Sequence, residues 1–206
     1  MVLDSTFTNS FNEPFSVFQF KYYISNISVT DAAGNDIKVP DSYFLIDEQN
    51  ADSKIFTVQT IAQNVSAVNF YIGVDSLRNV SGVQTGALDP MNGMFWTWST
   101  GYIMAKFEGT SPVSKAPMNR ISFHIGGFKA GQKVAKKISL PLPKSIDFTK
   151  EKKVTINISA DLNKWFNGIT DLKFAEVNFC MNPGELANKI AANYASMFTI
   201  DSIKNN

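Results

Sequence analysis

Between Phe15 and Val29 apolar and polar residues alternate, with Phe18, Phe20, Tyr22 and Ile24 on one face of an extended strand. The parity then shifts so that Ile27 and Val29 continue that face, which predicts a β-bulge near Ser25 and Asn26. Asp31 to Asp36 reads as a turn, with Gly34 free to take positive φ. Shorter strands are expected at Tyr43–Ile46, Ile55–Val58 and Ala67–Val74, the last with Val68, Phe70, Ile72 and Val74 on one side. Alternation returns at Ile121, Phe123 and Ile125, then at Ala135–Leu142 through Ile138, Leu140 and Leu142. It appears again at Val154–Ala160, and Phe198–Ile203 is expected to form a closing strand.

Helical periodicity is confined to the C-terminal part. Asp161 to Gly168 predicts a helical turn or two, with Asp161 as cap and Trp165 and Phe166 as anchors to the core. From Asn182 the pattern is a helix: Asn182 caps, Pro183 takes the first position and Glu185 completes a capping box. Leu186, Ile190, Tyr194 and Met197 then form its apolar stripe. About ten short alternating segments separated by turn signals argue for an all-β fold. The expected architecture is an antiparallel β-sandwich with Greek-key-like connections and one C-terminal packing helix. A single domain over residues 1–206 follows from the length.

Two stretches break the alternation. Asp75 to Asn92 is rich in loop formers and long for a compact domain, and loops of that length usually carry function. It leads into Gly86–Gly109, GALDPMNGMFWTWSTGYIMAKFEG, which holds Trp96 and Trp98 two residues apart. On one strand the two indoles would face the same way, about 6–7 Å apart. They read first as core filling, and otherwise as the wall of a site.

Composition narrows the classes. With 19 basic and 18 acidic residues and no long basic run, nucleic acid is not an expected partner. The one cysteine, Cys180, excludes an intramolecular disulfide and a cysteine zinc site. No apolar run reaches the ~18 residues of a membrane-spanning helix. There is one histidine, His124, no Gly-x-Ser-x-Gly elbow and no phosphate loop before a helix. The expectation is a protein that is not an enzyme.

The Leu-Asp-Pro turn, the Gly-Met-Phe-Trp-Thr-Trp run and the Gly-Tyr strand of Gly86–Gly109 resemble the signature of the MbnP-like copper-binding proteins, relatives of MopE and CorA. Tyr22-Tyr23-Ile24-Ser25-Asn26-Ile27, Gly73-Val74-Asp75-Ser76, Phe123-His124-Ile125-Gly126 and Asn193-Tyr194 with Met197-Phe198 extend the resemblance, in order, over nearly the whole chain. It implies an exported copper-binding or copper-handling protein, periplasmic or at the cell surface. The export signal, or a lipid anchor, is then expected to have preceded Met1. It further implies that the metal is held by histidines together with a tryptophan oxidised to kynurenine by a partner dihaem enzyme of the cytochrome c peroxidase/MauG kind. His124 matches the metal-binding histidine, and Trp96 or Trp98 the modified residue. Copper-binding relatives carry Asn-His where this chain has Asn79-Val80, so one imidazole is missing.

Asp75, Asn79, Asp89 and Met94 are auxiliary donor candidates, since oxygen and thioether groups also serve copper. Asp75, Asp89 and Asn92 would equally suit a structural calcium. The alternative is a non-catalytic binding module for carbohydrate or protein that has lost the metal site, with Trp96 and Trp98 stacking on the ligand.

Overall fold

The structure, a computed structural model, describes residues 1–98 and 101–205; Ser99 and Thr100, within the Gly86–Gly109 stretch, and Asn206 lie outside them. The strands in chain order are β1 (Thr6–Thr8), β2 (Pro14–Thr30), β3 (Asp36–Lys38), β4 (Tyr43–Asp47), β5 (Asn64–Ile72) and β6 (Phe95–Trp96). They continue with β7 (Gly101–Thr110), β8 (Arg120–Gly126), β9 (Lys136–Asp147), β10 (Val154–Ala160), β11 (Phe179–Cys180) and β12 (Phe198–Asn205). Two α-helices, α1 (Ser76–Asn79) and α2 (Glu185–Tyr194), complete the set.

The 17-residue β2 organises the rest. Along one edge it pairs first with β7, over Ser16–Tyr22, and then with β5, over Ile24–Thr30. Along the other edge it takes β1, β4 and β3 in turn. One strand can serve two sets of partners because it bends. The register with β5 shifts between Ser25 and Ser28, where Asn26 takes φ +50°. This is the bulge that the parity shift calls for. Asparagine tolerates the left-handed region because its short amide can bond locally, and Asn26 Nδ2 donates to Ser25 Oγ at 3.0 Å.

The main sheet runs β11-β8-β7-β2-β5-β9, and β10 pairs with β12 as a separate two-stranded ribbon. Non-consecutive neighbours such as β7, β2 and β5 give the Greek-key-like connectivity of an antiparallel sandwich. One pair departs from it: β11 lies parallel to β8, through Phe179 and Cys180. Two residues carry too little pattern to announce a strand.

The core is aromatic. Phe15, Phe20, Phe107, Phe123, Trp165, Phe166 and Phe174 are buried and meet edge-on or tilted, the arrangements that ring quadrupoles favour. Helix α2 lays Ile190, Ala191 and Tyr194 over this core, and Tyr194 donates its hydroxyl to the Val134 carbonyl at 2.7 Å. Asp161 caps the short 3-10 turn Leu162–Trp165, as its position suggests.

Three local expectations are corrected. Ile55–Val58 is not a strand: a 3-10 turn at Ala51–Lys54 precedes it, and Phe56 lies flat on the Phe44 ring, so the segment covers β4 instead of extending it. Phe18 leaves the apolar face, because a second irregularity between Val17 and Gln19 turns it outward against Arg120. Helix α2 starts at Glu185 with Gly184 as its cap, so Asn182 and Glu185 form no capping box. Gly184 takes φ +153°, which ends any helix continuing from Pro183.

Candidate functional site

The loop after β5 is pinned from its first residues. Asp75 caps α1 by accepting from the backbone N–H groups of Leu77 and Arg78. Its other oxygen accepts from Tyr43 Oη at 2.5 Å and Asn26 Nδ2 at 3.1 Å. Partial burial by itself would raise the Asp75 carboxyl, but Tyr43, Asn26 and the two amides hold it below the usual range. Burial, then the bond to Asp75, pushes the Tyr43 hydroxyl up to about 12.

Asn79, at the end of α1, is buried and turns inward. Its Oδ1 accepts from Tyr102 N at 2.9 Å and its Nδ2 donates to the Val74 carbonyl at 3.4 Å. The helix is thereby fastened to β7. Val80 follows as the helix's C-terminal cap, 64% exposed.

The Trp-x-Trp run forms a hairpin, not one long strand. Asp89 caps the 3-10 turn Pro90–Asn92, Gly93 takes φ +70°, and β6 then pairs Phe95 with Tyr102 and Trp96 with Gly101. The indoles come close, with ring centroids 5.2 Å apart and planes 37° apart. Their environments differ sharply: Trp96 is 6% exposed and Trp98 63%. The expected common strand face is therefore replaced by a buried ring with an exposed one leaning on it.

Trp96 is seated on β8. A Cβ on Gly126 would stand 2.5 Å from Trp96 Cζ3, so only glycine leaves room for the ring. Gly101, opposite Trp96, likewise faces the Phe128 ring and Asn79 Oδ1, at 3.2 and 3.3 Å from the place of a Cβ. Trp96, Gly101, Gly127, Phe128, Lys129, Gln132 and Pro183 line a small cleft beside the hairpin.

His124 lies two residues before Gly126 on the same strand. Strand alternation puts both on one face, opposite buried Ile121, Phe123 and Ile125, so the histidine stands one same-face step, about 6–7 Å, from the position under the Trp96 ring. Its Nε2 meets Glu108 Oε1 at 2.6 Å. That bond first, with the Lys106 ammonium in support, holds the Glu108 carboxyl below the ordinary range. Lys106 Nζ lies 3.6 Å from Glu108 Oε1 and donates to the Gly93 carbonyl at 3.4 Å, which ties the base of the tryptophan hairpin to the histidine.

The structure thus sets Trp96, Trp98 and Asn79 at the β6–β7 hairpin, with His124 two residues from Gly126 on β8. It gives the remaining donor candidates other work. Met94 is fully buried in the core, Asp89 accepts from Met91 N, and Asp75 serves four protein donors. Asn92 donates to the Gly86 and Ala87 carbonyls, so these loop oxygens hold the loop's own backbone. Among the described residues no three His, Cys, Asp or Glu side chains group as they would to hold a metal ion. Glu108 and Lys106 are the neighbours that sequence reading passes over. Gly126 ends the Phe-His-Ile-Gly motif, and a glycine inside a strand is the signal that could have marked the close approach.

A model of the MbnP family matches residues 1–182. Among solved structures, MbnP from Methylosinus trichosporium is similar with a TM-score of 0.50 and 15% identity, over 90% of this chain and 80% of that one. At that identity the likeness concerns the fold alone. No curated protein matches the sequence.

Proposed function

The chain belongs to the MbnP family, and from that premise we propose that it is an exported copper-binding or copper-handling protein whose site is the hairpin of Trp96 and Trp98 together with His124. The observation that carries this reading is the seating of Trp96 on Gly126, on the face of β8 that bears His124. Copper favours imidazole and accepts oxygen and amine donors. His124 would supply the imidazole through Nδ1, with Glu108, bonded to Nε2, holding the ring in place. Val80 offers nothing, and an unmodified indole is no ligand.

Conversion of one tryptophan to kynurenine would add an aromatic amine and a ketone to this donor set. The indole C2–C3 bond is cleaved with insertion of two oxygen atoms from hydrogen peroxide, which is reduced to water, and hydrolysis then releases C2 as formate. A dihaem partner enzyme would deliver the oxidising equivalents. Trp98, exposed and 5.2 Å from Trp96, is the indole such a partner can reach. The role is binding, without catalysis, in the periplasm or at the cell surface. Among the described residues no helix is long and apolar enough to cross a membrane.

Copper titration by calorimetry and electron paramagnetic resonance, on wild type and His124→Ala, tests the reading. Recombinant wild type should bind weakly, native modified protein more tightly, and His124→Ala not at all. Equal and negligible binding by all three removes copper from the account. Mass spectrometry of native material should find one tryptophan with a ring carbon exchanged for oxygen.

A further inference from the structure

We propose that the groove floored by β4, between the Asn50–Phe56 segment and the Gly86–Asn92 loop, is a second binding site that takes a neutral oligosaccharide of pyranose rings. The groove measures about 340 Å³ and shares no lining residue with the cleft beside Trp96.

Its wall is an aromatic stack unlike any in the core. Phe44 and Phe56 lie parallel, centroids 4.0 Å apart and planes within 13°, whereas the other ring pairs among the described residues are tilted or edge-on. Stacking covers one face of Phe56 and holds the ring, yet the residue remains 38% exposed. An aromatic side chain fixed flat with an open face in a polar groove matches the C–H face of a pyranose, which is apolar and flat while its rim is hydroxylated. The tryptophan pair offers no such flat wall, since Trp96 is buried and the two rings are inclined by 37°.

The groove's polar groups suit hydroxyls, each of which donates and accepts. Lys21 Nζ meets Asp47 Oδ2 at 2.9 Å, and that ammonium has further protons to give. Asn50 uses its side-chain oxygen to cap the 3-10 turn, accepting from Asp52 N at 3.1 Å, and its amide protons find no acceptor among the described residues. The exposed Asp52 carboxylate likewise accepts no bond among them, and two carboxylate oxygens can take a vicinal pair of hydroxyls. One ammonium against two carboxylates gives no attraction for an anion, which sets acidic sugars aside. A few placed polar groups beside an apolar wall is how ligand sites fix orientation.

The test is calorimetric titration of the full chain with xylohexaose, cellohexaose, maltohexaose and chitohexaose. At least one should bind wild type, with affinity reduced about tenfold by Phe56→Ala (~1.4 kcal/mol) and clearly by Asp52→Asn, and unchanged by Trp98→Ala. Because Asp52 is exposed with no side-chain bond, Asp52→Asn carries the test if Phe56→Ala fails to fold by circular dichroism. Binding of none of the four sugars overturns the proposal. So does binding that survives both groove variants, or binding lost with Trp98→Ala. Copper titration reads none of these, so this site and the copper reading stand or fall separately.

Discussion

At the scale of a single residue, the most informative pair is His124 and Glu108. The chain has one histidine, and the structure places it against a carboxylate at 2.6 Å with Lys106 close behind. A carboxylate only accepts, so Nε2 carries a proton toward Glu108, and Nδ1 is the nitrogen that faces away from it. Metal-binding histidines are commonly oriented in this way through their other nitrogen. The bond also makes stability depend on pH. The Glu108 carboxyl is held below its ordinary value, so its contribution is fully present above the unfolded carboxyl range, near ~4.3, and is lost as pH falls through the lowered folded value. Glu108→Gln removes that differential. Melting temperature measured from pH 7 down to about pH 3 should therefore fall less steeply in Glu108→Gln than in wild type. Parallel acid limbs in the two proteins would show that the pair is not coupled to folding.

At the scale of the element, the hairpin and β8 lock through a missing side chain. Gly126→Ala puts a methyl 2.5 Å from the Trp96 ring and 2.9 Å from the Tyr102 carbonyl, so the ring must leave its seat. Overpacking of this kind costs about 1–3 kcal/mol. Chemical denaturation should show that loss together with a changed near-ultraviolet dichroism from the tryptophans, while a signal identical to wild type would mean that Trp96 is not seated there. Much at this scale was legible in the residues. The long β2 and its bulge, β5, β8, β9 and the closing strand follow from alternation, because apolar residues at every second position advertise a strand, and the packing helix follows from its apolar stripe at helical spacing. Ile55–Val58 reads as a strand too, yet Phe56 finds its partner by lying on Phe44 of β4 while Ile55 stays exposed. Glu108 was illegible for another reason. Its meeting with His124 depends on the β7–β8 register, Lys106 opposite His124 and Glu108 opposite Ser122, and register is set by the whole sheet. The contrast between Trp96 and Trp98 was hidden likewise, since two residues of strand followed by a turn look the same in sequence as four residues of strand.

At the scale of the molecule, the question is what closes the fold once β2 has gathered its neighbours, and one buried carboxylate answers it. Glu13, just before β2, is 7% exposed and accepts from Asn9 Nδ2 at 2.8 Å, from Phe174 N at 2.8 Å and from Ala175 N at 3.1 Å. Those two amides lie more than 160 residues along the chain, and they belong to the segment that places Phe174 against Phe15 and Phe166, with centroids at 5.3 and 4.7 Å. A carboxylate is suited to the junction because it accepts from several donors at once and bonds to it are charge-assisted. Glu13→Ala leaves the buried Phe174 amide without an acceptor, at about 1–3 kcal/mol, and the half-buried Ala175 amide to turn to water at a smaller cost. Glu13→Gln keeps one side-chain oxygen and should lose roughly half as much. The copper site proposed at the β6–β7 hairpin shares none of these residues, so copper binding should survive both substitutions under conditions where the variants are folded. Hydrogen exchange separates this closure from general loosening: the amides of Phe174 and Ala175 should exchange far faster in Glu13→Ala, while those of β7 and β8 keep their protection. Uniform acceleration across the sheet would mean instead that Glu13 stabilises the whole molecule without acting as its clasp, because a clasp opens locally before the sheet it holds comes apart.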